Sequence, residues 1–279
     1  MGYKTILAVI QGQEDAGRVL DCALPLARRF SAHLIGVHAE PIPVPYVTPM
    51  GFPDTDFIVA SSEANRQRSD EMKAVFDSRL AREGLSGEWQ ALENVSGDSA
   101  AGALTAARTS DLVVVQQSDP GGRSGTLANV EALLFESGRP VLFVPHAVAV
   151  DARFRKVLVA WNGSQQAARA VFDALPFIVE AEETEILALD ASDTVDHDAA
   201  VVGADIAAAL ARHGAKVSFA SRQTSGVDAG EAIENEISEF GADLLVMGAY
   251  SQSWLKEFFF GGATRTLLKS MPAATLMAR

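Results

Sequence analysis

The feature that most limits what this chain can fold into is that its pattern occurs twice. Lys156-Val-Leu-Val-Ala-Trp161 repeats the opening run Thr5-Ile-Leu-Ala-Val-Ile10, and Asn162-Gly163-Ser164 falls where Gln11-Gly12-Gln13 stood. Ala-Leu-Pro recurs at Ala23 to Pro25 and Ala174 to Pro176, displaced by the same interval as the strands. Ser110 to Val115 corresponds to Ala242 to Met247, and Arg139-Pro140-Val141 to Met271-Pro272-Ala273. Agreement at so many ordered points marks a duplication. Residues 1–148 and 154–279 are the expected domains, separated by a linker at Ala147 to Arg153. For 279 residues the length prior is also about two domains of ~100 to 150 residues.

Each copy alternates short β-branched runs with helical patterns. Thr5 to Ile10, His33 to His38, Glu88 to Leu92, Leu112 to Gln116 and Val141 to Val144 read as strands. The helices expected between them run from about Asp15 to Phe30, Asp56 to Glu83, Ser99 to Thr109 and Leu127 to Ser137. Five prolines between Glu40 and Asp54 predict a long loop there. Alternation of this kind predicts an α/β fold with parallel sheets covered on both faces. Right-handed crossovers reduce the topology to two tandem doubly wound five-stranded sheets, Rossmann-like, of order 3-2-1-4-5. Ligands of such sheets bind outside the carboxyl ends of the strands, here between strands one and four of a copy.

The stretch from Gly248 to Arg265 is the one most suited to holding a ligand. It follows the apolar run Asp243 to Met247, and Ala263 to Ser270 reads as a helix behind it. Glycine at a strand end allows a sharp turn, and Gly261-Gly262 at a helix start lets an anion approach bare amides. An ordinary strand-to-helix loop is the alternative. In the N-terminal copy the fourth strand ends in Gln116-Gln117, and no glycine pair precedes Leu127-Ala128-Asn129. Gly121, Gly122 and Gly125 are at the wrong distances, so this copy is expected to bind no nucleotide.

Charge and residue counts narrow the partners. A net charge of −13 without a basic cluster argues against nucleic acid. No apolar run reaches the ~18 to 20 residues that cross a bilayer, and the N-terminus lacks the pattern of an export signal, so a cytoplasmic protein with no membrane partner is expected. The single cysteine, Cys22, sits on a helical pattern and reads as a buried thiol. The five histidines show no paired metal-ligand spacing, so no metal site is expected. Asp196-His197-Asp198 is the one weak metal candidate, and a solvated acidic loop is the favoured reading of it.

At Ala160-Trp-Asn-Gly-Ser164, Val246-Met-Gly-Ala-Tyr250 and Phe260-Gly-Gly-Ala-Thr-Arg265 the chain resembles the universal stress protein family in its tandem form, over nearly its whole length. ATP-binding members carry a Gly-x2-Gly-x9-Gly-Ser/Thr loop, whose positions fall on Gly248, Ser251, Gly261 and Gly262. Two of the four match. Serine at 251 costs ~1 to 2 kcal/mol if that position needs positive φ. Glycine at 262 removes one hydroxyl bond to a phosphate, on the order of 1.5 to 3 kcal/mol, which Thr264 one step on could offset. Asn162 replaces the usual aspartate and keeps an acceptor.

The resemblance implies that ATP, with Mg²⁺, or a related adenine nucleotide would touch Ala160, Trp161 and Asn162 at the first strand end and Leu189 at the second. Met247, Gly248, Tyr250 and Ser251 would follow the fourth strand, and Gly261, Gly262, Ala263 and Thr264 would take the phosphates. Core packing is an equal alternative for Trp161, Leu189 and Met247. Lys256 and Arg265 are the local cations, and Trp254 and Phe258 to Phe260 form an apolar patch. The resemblance also implies that the last strands, Val141 to Val144 and Ala274 to Met277, pair across the copies in a pseudo-twofold unit, to which a homodimer could be added. The expected function is that of a stress-response sensor or adaptor with weak nucleotide binding, not an enzyme. The alternatives are a relative that works through protein contacts or another small ligand, and, with no Ser/His/Asp set or Gly-Lys-Ser/Thr loop to carry it, a slow nucleotide hydrolase.

Overall fold

The computed structural model describes residues 2–44, 55–118, 130–190, 199–224, 226–249, 267, 268 and 270–279, with 199–202 as backbone only. The N-terminal copy runs β1 (Thr5–Val9), α1 (Gln13–Phe30), β2 (His33–Pro41), α2 (Thr55–Glu83), β3 (Gly87–Asn94), α3 (Ser99–Gly102), α4 (Leu104–Arg108), β4 (Leu112–Gln116), α5 (Val130–Glu136) and β5 (Val141–Val144). The C-terminal copy runs β6 (Lys156–Ala160), α6 (Gln165–Asp173), α7 (Leu175–Glu180), β7 (Glu183–Leu189), α8 (Ala199–Arg212), β8 (Val217–Arg222), α9 (Ala229–Phe240), β9 (Leu244–Gly248) and β10 (Ala274–Ala278).

The two five-stranded sheets join through their last strands, as the resemblance implied, into one ten-stranded sheet. Its order is β3-β2-β1-β4-β5-β10-β9-β6-β7-β8, so each copy contributes 3-2-1-4-5 and the two join at their last strands. Within a copy every pairing is parallel, as in β1 with β2 and β4 and in β6 with β7 and β9. The junction alone is antiparallel, with Phe143 opposite Thr275, Leu142 opposite Leu276 and Val141 opposite Met277. A parallel junction would point both copies the same way, whereas a twofold relation reverses one of them. The carboxyl ends of β1 and β4 therefore open at one end of the sheet, and those of β6 and β9 at the other.

Strand alternation sends side chains into two layers. One holds Ile6, Ala8 and Ile10 with α1, and Val157 and Val159 with α6 and α8. The other holds Leu7, Val9 and Leu158 with α3 and α9. An aromatic group ties the copies together beside the junction. Tyr3 and Phe30 of the first copy meet Phe177 of the second at ring separations of 5.2 and 5.8 Å, and the Tyr3 hydroxyl donates to the Asp173 carbonyl at 2.6 Å. Cys22 is buried in the first layer, and burial pushes its thiol up to about 12.

Three elements differ from the sequence reading. β2 continues to Pro41, beyond the expected end at His38, because β3 also runs on and pairs through Pro41 opposite Asn94. The proline sits at the last position of its strand, where its missing N–H costs no ladder bond. The single helix expected over Ser99 to Thr109 is broken at Ala103 into two short pieces. Gly102 is the weak point of that run. The residues from 45 to 54 in the proline-rich loop, Asp196 to Asp198, and Gly121 to Asn129 lie outside the described residues.

Candidate functional site

Each copy builds its strand-end turn from a short loop leading into a helix, and the two turns are finished differently. In the C-terminal copy β6 ends at Ala160, and Gly163, at φ +70°, turns the chain into α6. Ser164 caps that helix, its hydroxyl accepting from the Ala167 amide at 3.1 Å. Asn162 is exposed, and its Oδ1 accepts from the Ser164 amide at 3.2 Å and hydroxyl at 2.7 Å. Across the crevice β9 ends in Gly248. A side-chain carbon at that position would lie 2.4 Å from the Ala167 nitrogen and 2.6 Å from the Gln166 carbonyl carbon. Only a glycine lets the first turn of α6 rest on the strand end, so packing accounts for Gly248 independently of any ligand.

Ala160, Met247 and Leu189 share one layer. Ala160 is opposite both Leu187 and Met247 in the ladder, Met247 is buried, and Ala160 and Leu189 are half-buried against the same core. Trp161 does not join them. As the residue after Ala160 it faces the other side of the sheet, where it packs with the layer that contains Val159 and Ile206. Its Nε1 is shielded from solvent and has no hydrogen-bond partner among the described residues. Tyr250, Ser251, Gly261, Gly262, Ala263 and Thr264 lie outside the described residues, as do Lys256, Arg265, Trp254 and Phe258 to Phe260.

The N-terminal copy fills the same place with its own groups. Asp15, on the first turn of α1, turns its carboxylate back to accept from the Gln11 amide at 2.9 Å and the Gly12 amide at 2.8 Å. It is 7% exposed. Burial pushes its carboxyl above the usual range, and the backbone donors partly counter that. The Gln11 side chain, at the position of Asn162, spans to the loop after β3, donating to the Gly97 carbonyl at 2.8 Å and accepting from the Ser99 amide at 2.9 Å. Gln116 puts a side chain where the other copy has Gly248. Below the turn His38 lies 3.0 Å from the Ile10 carbonyl and 3.1 Å from Glu40, whose carboxylate receives the Arg68 guanidinium from α2.

The repeat aligns Asp15 with Gln166. In the first copy a buried carboxylate therefore neutralises the turn's amides from within. In the second a neutral amide side chain stands in its place. The copies also touch at this level, where Gln117 at the end of β4 donates to the Leu268 carbonyl at 2.8 Å and accepts from His146 at 2.9 Å.

The profile of the universal stress protein family matches the chain twice, at residues 2–145 and 153–279. Among solved structures the chain is similar to a universal stress protein from Archaeoglobus fulgidus DSM 4304, at 16% identity and a TM-score of 0.69, over 99% of this chain and 98% of that one. It is likewise similar to a functionally unknown protein from Pseudomonas aeruginosa PAO1, at 15% identity and a TM-score of 0.65, over 99% and 92% of the two chains. At such identities the likeness is one of fold. No functionally curated protein matches the chain.

Proposed function

Since the chain belongs to the universal stress protein family, we propose that its C-terminal copy, residues 154–279, binds an adenine nucleotide such as ATP with Mg²⁺, and that the N-terminal copy, residues 1–148, serves as its structural partner. One observation carries this reading. The turn that Asp15 occupies with a carboxylate in the first copy has none among the described residues of the second, where Gln166 stands at the aligned position. A helix start with no internal anion attracts a phosphate or a hydroxyl-rich group from outside. Asn162 supplies an exposed amide for ribose or base, and Ala160, Leu189 and Met247 supply the apolar wall that a purine needs.

Binding without turnover fits a sensor or adaptor in a stress response, acting where nucleotide supply and the cytoplasm meet. The test is direct. Protein denatured after purification is assayed for released nucleotide by mass spectrometry, and ATP is titrated into the native chain with and without Mg²⁺. Carried nucleotide or saturable binding below ~1 mM supports the reading, since ~4 kcal/mol corresponds to that affinity. Neither result at 1 mM overturns it in favour of a relative that works through protein contacts.

A further inference from the structure

α9 packs Ile233 and Ile237 against Leu158, Leu187 and Ala220 of β6, β7 and β8, and in doing so buries Glu236, which is 5% exposed. From the end of β8, Arg222 donates Nε and Nη2 to the two oxygens of that carboxylate, each at 2.9 Å. From β7 comes Glu185, whose Oε1 is shielded from solvent and has no donor among the described residues. The group against it is the Glu236 carboxyl, with Arg222 and Glu183 also near. Two carboxylates cannot hydrogen-bond each other, so the contact exists only while one of them carries a proton. Arg222 gives its fork to Glu236, so Glu185 is the carboxyl left without a donor among the described residues and the one that gains by holding the proton.

We propose that Glu185, Glu236 and Arg222 form a proton-operated latch that fastens α9 to the outer edge of the C-terminal sheet, closed while the two carboxyl groups share a proton and loosened when it leaves. The location gives the latch something to act on. Arg222 is opposite Leu189 in the ladder, and its carbonyl accepts from the Asp190 amide at 2.9 Å. Asp190, at φ +50°, in turn accepts from the Thr224 amide and hydroxyl at 2.8 and 2.6 Å. The latch therefore lies behind the strand end that borders the crevice, whatever the crevice binds.

The charged groups around Glu185 are Glu183 on its own strand, Arg222 on β8, Glu236 on α9, and Lys156 on β6, which is 3.6 Å from Glu183. Burial raises the Glu185 carboxyl most, Glu236 raises it further, and Arg222 opposes them, leaving it at about 7 against an ordinary 4.5. The folded chain thus keeps a proton that the unfolded chain has released between those values. Stability from the latch is full below pH 4.5, falls as pH rises to about 7, and is gone above it.

Two measurements on the full chain test this. Carboxyl-carbon NMR, with the Glu185 signal identified by its absence in Glu185→Gln, is expected to give a midpoint near 7, and one near 4.5 overturns the proposal. Amide exchange in α9 and β8, corrected for intrinsic rates, is expected to show opening at least tenfold more frequent at high pH than at low, each pH unit of linkage being tenfold and the displacement from 4.5 to about 7 exceeding two. Glu185→Gln, which donates at every pH, removes that dependence. If it persists, the latch is not the cause. Should Glu185→Gln fail to fold, Glu236→Gln serves instead, and the Glu185 midpoint must then drop. An unchanged midpoint overturns the proposal.

Discussion

The two copies share a strand order and a helix on the same side of the same strand, but the turn before α6 is one residue longer than the turn before α1, and among the described residues a carboxylate closes only the first. At Gln11-Gly12 the amides face the Asp15 carboxylate and the side chain of Gln11 is tied to Gly97 and Ser99. At Asn162-Gly163 the side chain accepts from the Ser164 amide and hydroxyl, and glutamine stands at the position that aligns with Asp15. Duplication leaves two potential sites at opposite ends of one sheet. On the proposed reading the filled copy serves as scaffold, and the two turns differ both in side chains and in backbone, Gly12 being extended at φ −169° and Gly163 left-handed at φ +70°.

Substitutions that exchange these features put the contrast at risk. The largest effect is expected from Gly248→Val, whose side chain would meet the backbone of Gln166 and Ala167. It should cost ~2 to 3 kcal/mol in denaturant unfolding and abolish ligand binding. Gln116→Val at the matching position, which discards a buried oxygen with no partner among the described residues, should be close to neutral. Equal losses would show that the two strand ends do not differ as described. Next comes Gln166→Asp, which installs the carboxylate of the first copy in the second. Titration should then find nucleotide affinity lower by about tenfold or more, with stability kept or raised. The reciprocal Asp15→Asn should lower stability by ~1 to 2 kcal/mol and leave nucleotide binding untouched. Trp161→Phe closes the series. Its indole N–H has no partner among the described residues, so stability should move by no more than ~0.5 kcal/mol. An affinity change at Trp161→Phe would show that the ligand reaches that N–H through the opposite layer.

Much of the architecture was legible because strand and helix periods are local and the duplication repeated them. The fate of β2 was not, since its last residues are held by β3, whose own end the sequence leaves open. Reading Trp161 alongside Ala160, Leu189 and Met247 missed the alternation of a strand, by which consecutive residues cannot face one layer. The closed turn did have a signal. An acid three residues after Gly12, where the other copy has glutamine after Gly163, is the spacing at which a first-turn side chain reaches back to the loop amides. What no local pattern could supply is the Gln11 bridge to Gly97 and Ser99, whose partners come from the far side of the copy.

The asymmetry is tested most directly by titrating ATP with Mg²⁺ into the full chain while following backbone amide shifts and bound nucleotide together. One nucleotide per chain, with shifts at Asn162 and Gly163 and none at Gln11 and Gly12, is the expected result. Two nucleotides per chain, or shifts at Gln11 and Gly12 in place of Asn162 and Gly163, would contradict it.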